Sequence, residues 1–171
     1  VAVKPSPSIS MIRSSFKDVW EQITQSSYFL SKAQEVTFKK HWDSRINSDY
    51  AEVHYNLGGA LIKKGKASEA ISHYKTAIKF KPDYASAHYN LGAVLQQERN
   101  TSEAISHYKT AIELRLDNYH VHNNLAVALQ QEGNFSEAIS HYKTAIELKP
   151  GYVDTYNNLG TALVKKGNTS E

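Results

Sequence analysis

From residue 51 onward, apolar residues recur at helical spacing in short blocks separated by polar turns. In the first block Val53, Leu57, Ala60 and Leu61 fall on one helical face. The next carries Ala70, Ile71, Tyr74, Ala77 and Ile78, again at i, i+3/i+4, i+7. The pattern predicts a helix over about 51–64 and a second one behind it, and the pair then repeats. The eleven-residue string SEAISHYKTAI stands at 68–78, 102–112 and 136–146, each copy 34 residues after the last. Self-similarity at such a period marks a solenoid, whose units bury their apolar faces only against their neighbours.

With Ala51 as position 1, the repeats run 51–84, 85–118, 119–152 and a truncated 153–171. Gly65, Gly133 and Gly167 stand where the first helix of a unit should end, since glycine tolerates the left-handed conformation. Asn100, Asn134 and Asn168 follow, each three residues before a glutamate (Glu103, Glu137, Glu171), the pattern of a capping box. Pro82 and Pro150 stop the second helix; Leu116 takes that position in the second repeat, a weaker stop. Small residues at Gly58, Gly92, Gly160, Ala70 and Ala77 leave room for close helix approach, filled by large neighbours.

Residues 1–15 are polar and proline-containing and read as a flexible tail. Residues 16–50 lie outside the strict register but keep helical spacing. Ser15 and Asp18 would cap a helix carrying Phe16, Val19, Trp20 and Ile23; Ser31 and Gln34 would cap another carrying Val36, Phe38 and Trp42. The segment is expected to be a degenerate hairpin covering the first repeat. The expectation is thus seven helices in 51–171 and two before Ser48.

These positions resemble the tetratricopeptide repeat (TPR), a 34-residue unit with Trp-x-x-Leu-Gly-x-x-Tyr followed by Ala, an aromatic, Ala and Pro. Leu57, Gly58, Ala70, Tyr74, Ala77 and Pro82 match, and most recur in later units. His54, His88, His122 and Tyr156 replace the tryptophan, Ala126 one glycine and Arg99 another. The resemblance implies an all-α solenoid of antiparallel helix pairs in a right-handed superhelix. It also implies that repeat positions 2, 5, 6, 9 and 13 line the inner face.

Those positions supply the candidate partner-binding residues. They are Tyr55 and Asn56, Tyr89 and Asn90, then Asn123, Asn124 and Gln131, then Asn157 and Asn158. Position 6 is asparagine in every unit, and a carboxamide offers both donors and acceptors to an extended peptide. This is similar to the asparagine ladder in the TPR region of O-linked N-acetylglucosamine transferases. The tyrosines would be rigid aromatic anchors. The carboxylate clamp of chaperone-binding TPR domains, by contrast, is matched only at its asparagines, so capture of an acidic C-terminal tail by that route is not expected.

Composition narrows the function further. The 171 residues carry 20 Lys and Arg against 17 Asp and Glu, a net charge of +3, without the clustered cations of a nucleic-acid surface. Cysteine is absent, so no disulfide framework or thiolate metal site is expected. No apolar stretch approaches the roughly 18–20 residues of a membrane span. No signal peptide is legible, which favours the cytoplasm while leaving the compartment unknown.

Six of the eight histidines form two ladders, His54, His88, His122 and His73, His107, His141. Members of one ladder lie a whole repeat apart, roughly 10 Å, too far for a shared zinc ion. Neither a catalytic triad nor a cofactor site is legible. The sequons at Asn100, Asn134 and Asn168 are explained by capping, and Lys63, Lys64, Lys165 and Lys166 by solvated helix ends.

The reading is a non-enzymatic scaffold that holds a protein or peptide partner on its inner face. The alternative is the substrate-recognition arm of a larger TPR-linked glycosyltransferase. The last first-helix, about 153–166, has no partner helix before Glu171. The expectation is that the natural protein continues, or that copies associate through this end.

Overall fold

The computed structural model describes residues 32–168. They form seven helices and no strand: α1 Lys32–Lys63, α2 Ala67–Phe80, α3 Ala85–Gln97, α4 Thr101–Glu113, α5 Tyr119–Gln131, α6 Phe135–Leu148 and α7 Val153–Asn168. Contacts group the chain into two units, residues 1–45 and 46–171. Of the first unit the described part is residues 32–45, a run of helix. The expected tail and the helix opening near Ser15 lie outside the described residues.

The boundary that the repeat register marks at residue 51 is not a break in the backbone: α1 is one helix of 32 residues. Between Lys32 and Leu57 there is neither glycine nor proline, so nothing interrupts the hydrogen-bond ladder.

Within 46–171 consecutive helices pack on one another from α2 to α7, and α3 also touches α5 as α5 touches α7. This nearest-neighbour packing is the solenoid. One apolar cluster runs through it from Leu61 to Ala162, and a smaller one joins Ala51, Ala77 and Ala87.

The stops have separate causes. After α3, the Arg99 N–H reaches the Gln96 carbonyl at 3.1 Å and the Asn100 N–H reaches the Leu95 carbonyl at 2.8 Å. This double return requires a left-handed residue between. Gly65 and Gly133 supply it at φ 72° and 80°, whereas Arg99 holds φ 62° with a side chain. The same return ends α4, with Arg115 at φ 67°, and so replaces the proline absent from position 116. At the other second-helix ends, Lys81 and Lys149 stand before proline and take extended φ of −136° and −149°, as a following pyrrolidine demands.

The capping box takes a different form from the expected one. The N–H of Asn100 and of Asn134 already belongs to the preceding helix, so Glu103 and Glu137 cannot take it. Each carboxylate instead accepts from the asparagine amide at 2.7 Å. Only Asn134 also caps, accepting from the Glu137 N–H at 3.4 Å. An unforeseen cap is Asn118, whose Oδ1 accepts from the His120 and Val121 N–H groups at 3.0 and 3.2 Å.

The central repeats are well covered and the outer ones are not. Leu95 and Leu129 are 3% exposed, but Leu163 at the same repeat position is 50% exposed. Likewise Val53, Leu57 and Ala60 are exposed, and of the apolar face expected there only Leu61 is buried. Solenoid burial comes from the adjoining unit, so identical side chains differ by where they stand in the array.

Candidate partner-binding face

Tyr55 on α1 and Tyr89 on α3 occupy one position of successive first helices. Each is half-buried, and each is fixed by the asparagine of the following unit. Asn90 Nδ2 donates to the Tyr55 hydroxyl at 3.1 Å, and Asn124 Nδ2 donates to the Tyr89 hydroxyl at 3.1 Å. Two members of the ladder, Asn90 and Asn124, are therefore staples between units. Each tyrosine oxygen accepts one bond and keeps its own O–H to donate.

The remaining candidates divide. Asn56 is exposed. Asn123 is buried: its Oδ1 accepts from the buried Thr155 hydroxyl at 3.0 Å and its amide reaches Asn124 Oδ1 at 3.4 Å. It thus ties α5 to α7. Gln131 is exposed and accepts from Gln96 Nε2 at 3.3 Å. Asn157 is exposed and Asn158 half-buried on α7. The structure brings Tyr55 to Asn90 and Tyr89 to Asn124, while Asn158 has an asparagine rather than a tyrosine one unit before it.

Tyrosines at or just before the starts of helices, which the periodicity did not single out, lie near these residues. Tyr84 lies 4.8 Å from Tyr55 between ring centres, and Tyr119 lies 5.0 Å from Tyr152, edge to face. Tyr119 and Tyr152 also act electrostatically on Tyr89, whose phenol is pushed up mainly by burial. Lys149 donates to the Tyr119 hydroxyl at 2.8 Å and sits over both rings. The signal in the sequence was the aromatic at the last repeat position (Tyr84, Tyr152) and its shift by one to Tyr119.

On another part of each unit the two histidine ladders meet. His54 and His73, His88 and His107, and His122 and His141 pair through their Nδ1 atoms at 2.7, 2.9 and 2.9 Å. Spacing along each ladder does not reveal these pairs, because the partners lie 19 residues apart within one repeat. His88 Nε2 sits 3.1 Å from the Pro82 carbonyl, which can only accept. His88 therefore donates from Nε2 and accepts at Nδ1, and His107 must be the Nδ1 donor. His122 follows the same logic through Asp117 at 2.7 Å. A proton on the outer Nε2 of His107 or His141 preserves the pair, whereas a second one breaks it.

Burial, then the facing imidazole, holds His54, His107 and His141 below the ordinary imidazole range. A tetrahedral metal between two nitrogens would need them about 3.3 Å apart, so these separations are those of hydrogen bonds. Among the described residues no group of three or more His, Cys, Asp or Glu is placed to hold a metal ion.

Family models match the repeated region. A TPR repeat model matches residues 58–98, and two tetratricopeptide repeat models match 83–150 and 141–171. The chain is a TPR protein.

No curated protein matches it in sequence. Among solved structures it is similar to the first TPR of Spaghetti (RPAP3) bound to HSP90 peptide SRMEEVD, with 22% identity and a TM-score of 0.67 over 70% of this chain and 95% of that one. It is similar to the Arabidopsis OM64 TPR domain, with 20% identity and a TM-score of 0.65 over 68% and 96%. It also resembles MamA, with 23% identity and a TM-score of 0.66 over 81% and 86%. At these identities the likeness is one of fold. In TPR terms the tyrosine–asparagine staples lie on the first helices of successive units. No described helix is long and apolar enough to cross a membrane.

Proposed function

We propose that this chain is a non-enzymatic scaffold that binds a peptide segment of a partner protein along its first helices. The observation that carries the reading is the pair of staples Asn90–Tyr55 and Asn124–Tyr89. They hold two aromatic anchors rigid, one unit apart, each with a hydroxyl proton still to donate. Preorganised tyrosines lose little entropy on contact, which is what gives such residues their weight at interfaces. A relative of the same fold binds a peptide, which supports the class of ligand though not its sequence. The alternative, a recognition arm of a glycosyltransferase, rests on the asparagine ladder alone. Because the Asn90 and Asn124 amides already serve the tyrosines, the tyrosine-centred reading is preferred.

The test is selection from a random peptide display library on the whole chain, with counter-selection on Tyr55→Ala and Tyr89→Ala. Peptides that bind the parent and lose both variants support the reading. A library that yields no peptide sensitive to either variant overturns it.

A further inference from the structure

The face has a repeat of its own, and that repeat has a length. Tyr55 with Tyr84 forms one aromatic pair, and Tyr119 with Tyr152 forms another, near enough to Tyr89 to act on it electrostatically. Equivalent residues of successive units stand apart by about one helix-packing distance, roughly 8–10 Å. A polyproline II helix turns once every 3 residues and rises about 3.1 Å per residue, so its period is about 9.3 Å. The two periods agree.

The chemistry agrees as well. Tyr55 and Tyr89 have their hydroxyl oxygens occupied as acceptors by Asn90 and Asn124, so what they have left for a ligand is a donor. Carbonyl oxygens are the matching group. A proline-rich strand presents its carbonyls unpaired and has no N–H at proline to satisfy. Its compact, puckered ring is apolar and presents C–H groups to an aromatic face. Lys149, drawn over Tyr119 and Tyr152, and Lys81, 5.1 Å from the Tyr84 ring centre, show that these rings already attract electropositive groups. The C–H groups beside a proline nitrogen are weakly of that kind. A helical ligand would fit less well: its carbonyls are already paired within the helix.

We propose that the segment bound on this face is proline-rich and in the polyproline II conformation, its prolines seated at the Tyr55/Tyr84 pair and at Tyr89 and the Tyr119/Tyr152 pair. The proposal rests on the partner-binding reading above and names the class of peptide. Grooves lined by aromatic residues recognise such strands because the ligand is already ordered before it binds.

Calorimetric titration of the whole chain with a decaproline peptide tests it, with a Gly-Ser peptide and an amphipathic helical peptide of equal length as comparisons. Decaproline is expected to bind and the other two not to. Tyr89→Leu with Tyr119→Leu should weaken decaproline about tenfold or more. Tyr84→Leu, at a turn and outside every helix, provides a second variant should the first lose helicity by circular dichroism, and it should also weaken binding. Binding unchanged in both variants overturns the proposal. So does the absence of decaproline binding when library peptides without proline still bind through Tyr89, an outcome that leaves the scaffold reading standing. If no peptide of any kind binds, both fall together.

Discussion

Tyr108 leaves no space for a β-carbon on Gly92. A Cβ built there would lie 2.9 Å from Tyr108 Cε1 and 3.2 Å from the Ala104 carbonyl oxygen. The ring cannot easily yield, because its hydroxyl donates to Gln96 Oε1 at 2.9 Å and the side chain is fully buried. Gly58 stands in the same relation to Tyr74. Gly92→Val should therefore lower unfolding free energy by about 1–3 kcal/mol, the usual cost of overpacking. Ala104→Phe and Ala111→Phe, at fully buried positions, should do the same. Chemical denaturation checks all three, and midpoints equal to the parent's would refute the packing described.

Gly160 occupies the same repeat position with nothing within 4 Å of its Cβ direction. Inside α7 and exposed, it costs helix stability without serving a contact. Gly160→Ala should stabilise the chain by up to about 1 kcal/mol. The opposite signs at Gly92 and Gly160 can be read in one denaturation series; a loss at both would mean that α7 is covered as α3 is.

Arg99 holds a left-handed backbone that disfavours any side chain with a β-carbon. Such a residue costs about 1–2 kcal/mol relative to glycine. Arg99→Gly should raise the melting temperature, whereas Gly133→Arg, the reverse change at the equivalent turn, should lower it. Equal melting of Arg99→Gly and the parent would contradict the geometry.

The asparagine staples predict a loss of stability in the absence of any partner. Asn90→Ala and Asn124→Ala each remove a bond between units, worth about 0.5–1.5 kcal/mol. A double-mutant cycle of Asn124→Ala with Tyr89→Phe should show coupling, since both changes abolish one interaction. Additive effects would mean that the two side chains do not depend on each other.

The histidine pairs predict acid sensitivity. His54, His107 and His141 are held below the ordinary value of 6.5 by burial first and by their facing imidazoles second. Glu103 opposes this shift at His107, while Lys75 adds to it. A group with a depressed folded pKa stabilises the fold above its unfolded pKa, and that contribution is lost as pH falls through the folded value. Melting temperature should thus decline on acidification below about pH 6.5. His107→Gln should flatten the decline; an equally steep profile in that variant would exclude the pair as its source.

Repetition also generates contacts that no single unit contains. The lysine of one SEAISHYKTAI copy meets the glutamate of the next, Lys75 with Glu103 at 2.9 Å and Lys109 with Glu137 at 2.8 Å. Hydrogen bonds from the lysines are the main reason that both carboxyls titrate below the ordinary range. The pairs are largely exposed, so they set register more than they add stability.

The sequence alone determined the repeat length, the helix pairs from 51 to 168 and the small–large alternation behind Gly92 and Tyr108. Each of these is written in local spacing, and a local pattern needs no knowledge of what lies across the interface. It also put Tyr55 and Tyr89 at one repeat position and Asn90 and Asn124 at the next. Only the tertiary structure decided what Asn90 and Asn124 bond, because a carboxamide suits a ligand and a neighbouring phenol equally until the neighbour's position is known. Tertiary packing likewise brought His88 to His107, Tyr84 to Tyr55 and Tyr119 to Tyr152, contacts between residues far apart in the chain. The unbroken α1 is the reverse case. The repeat register implied a boundary at residue 51, but no glycine or proline stands between Lys32 and Leu57 to break the helix there. The exposure of Leu163 beside the burial of Leu95 has the same lesson: in a solenoid, burial belongs to the neighbouring unit and not to the residue.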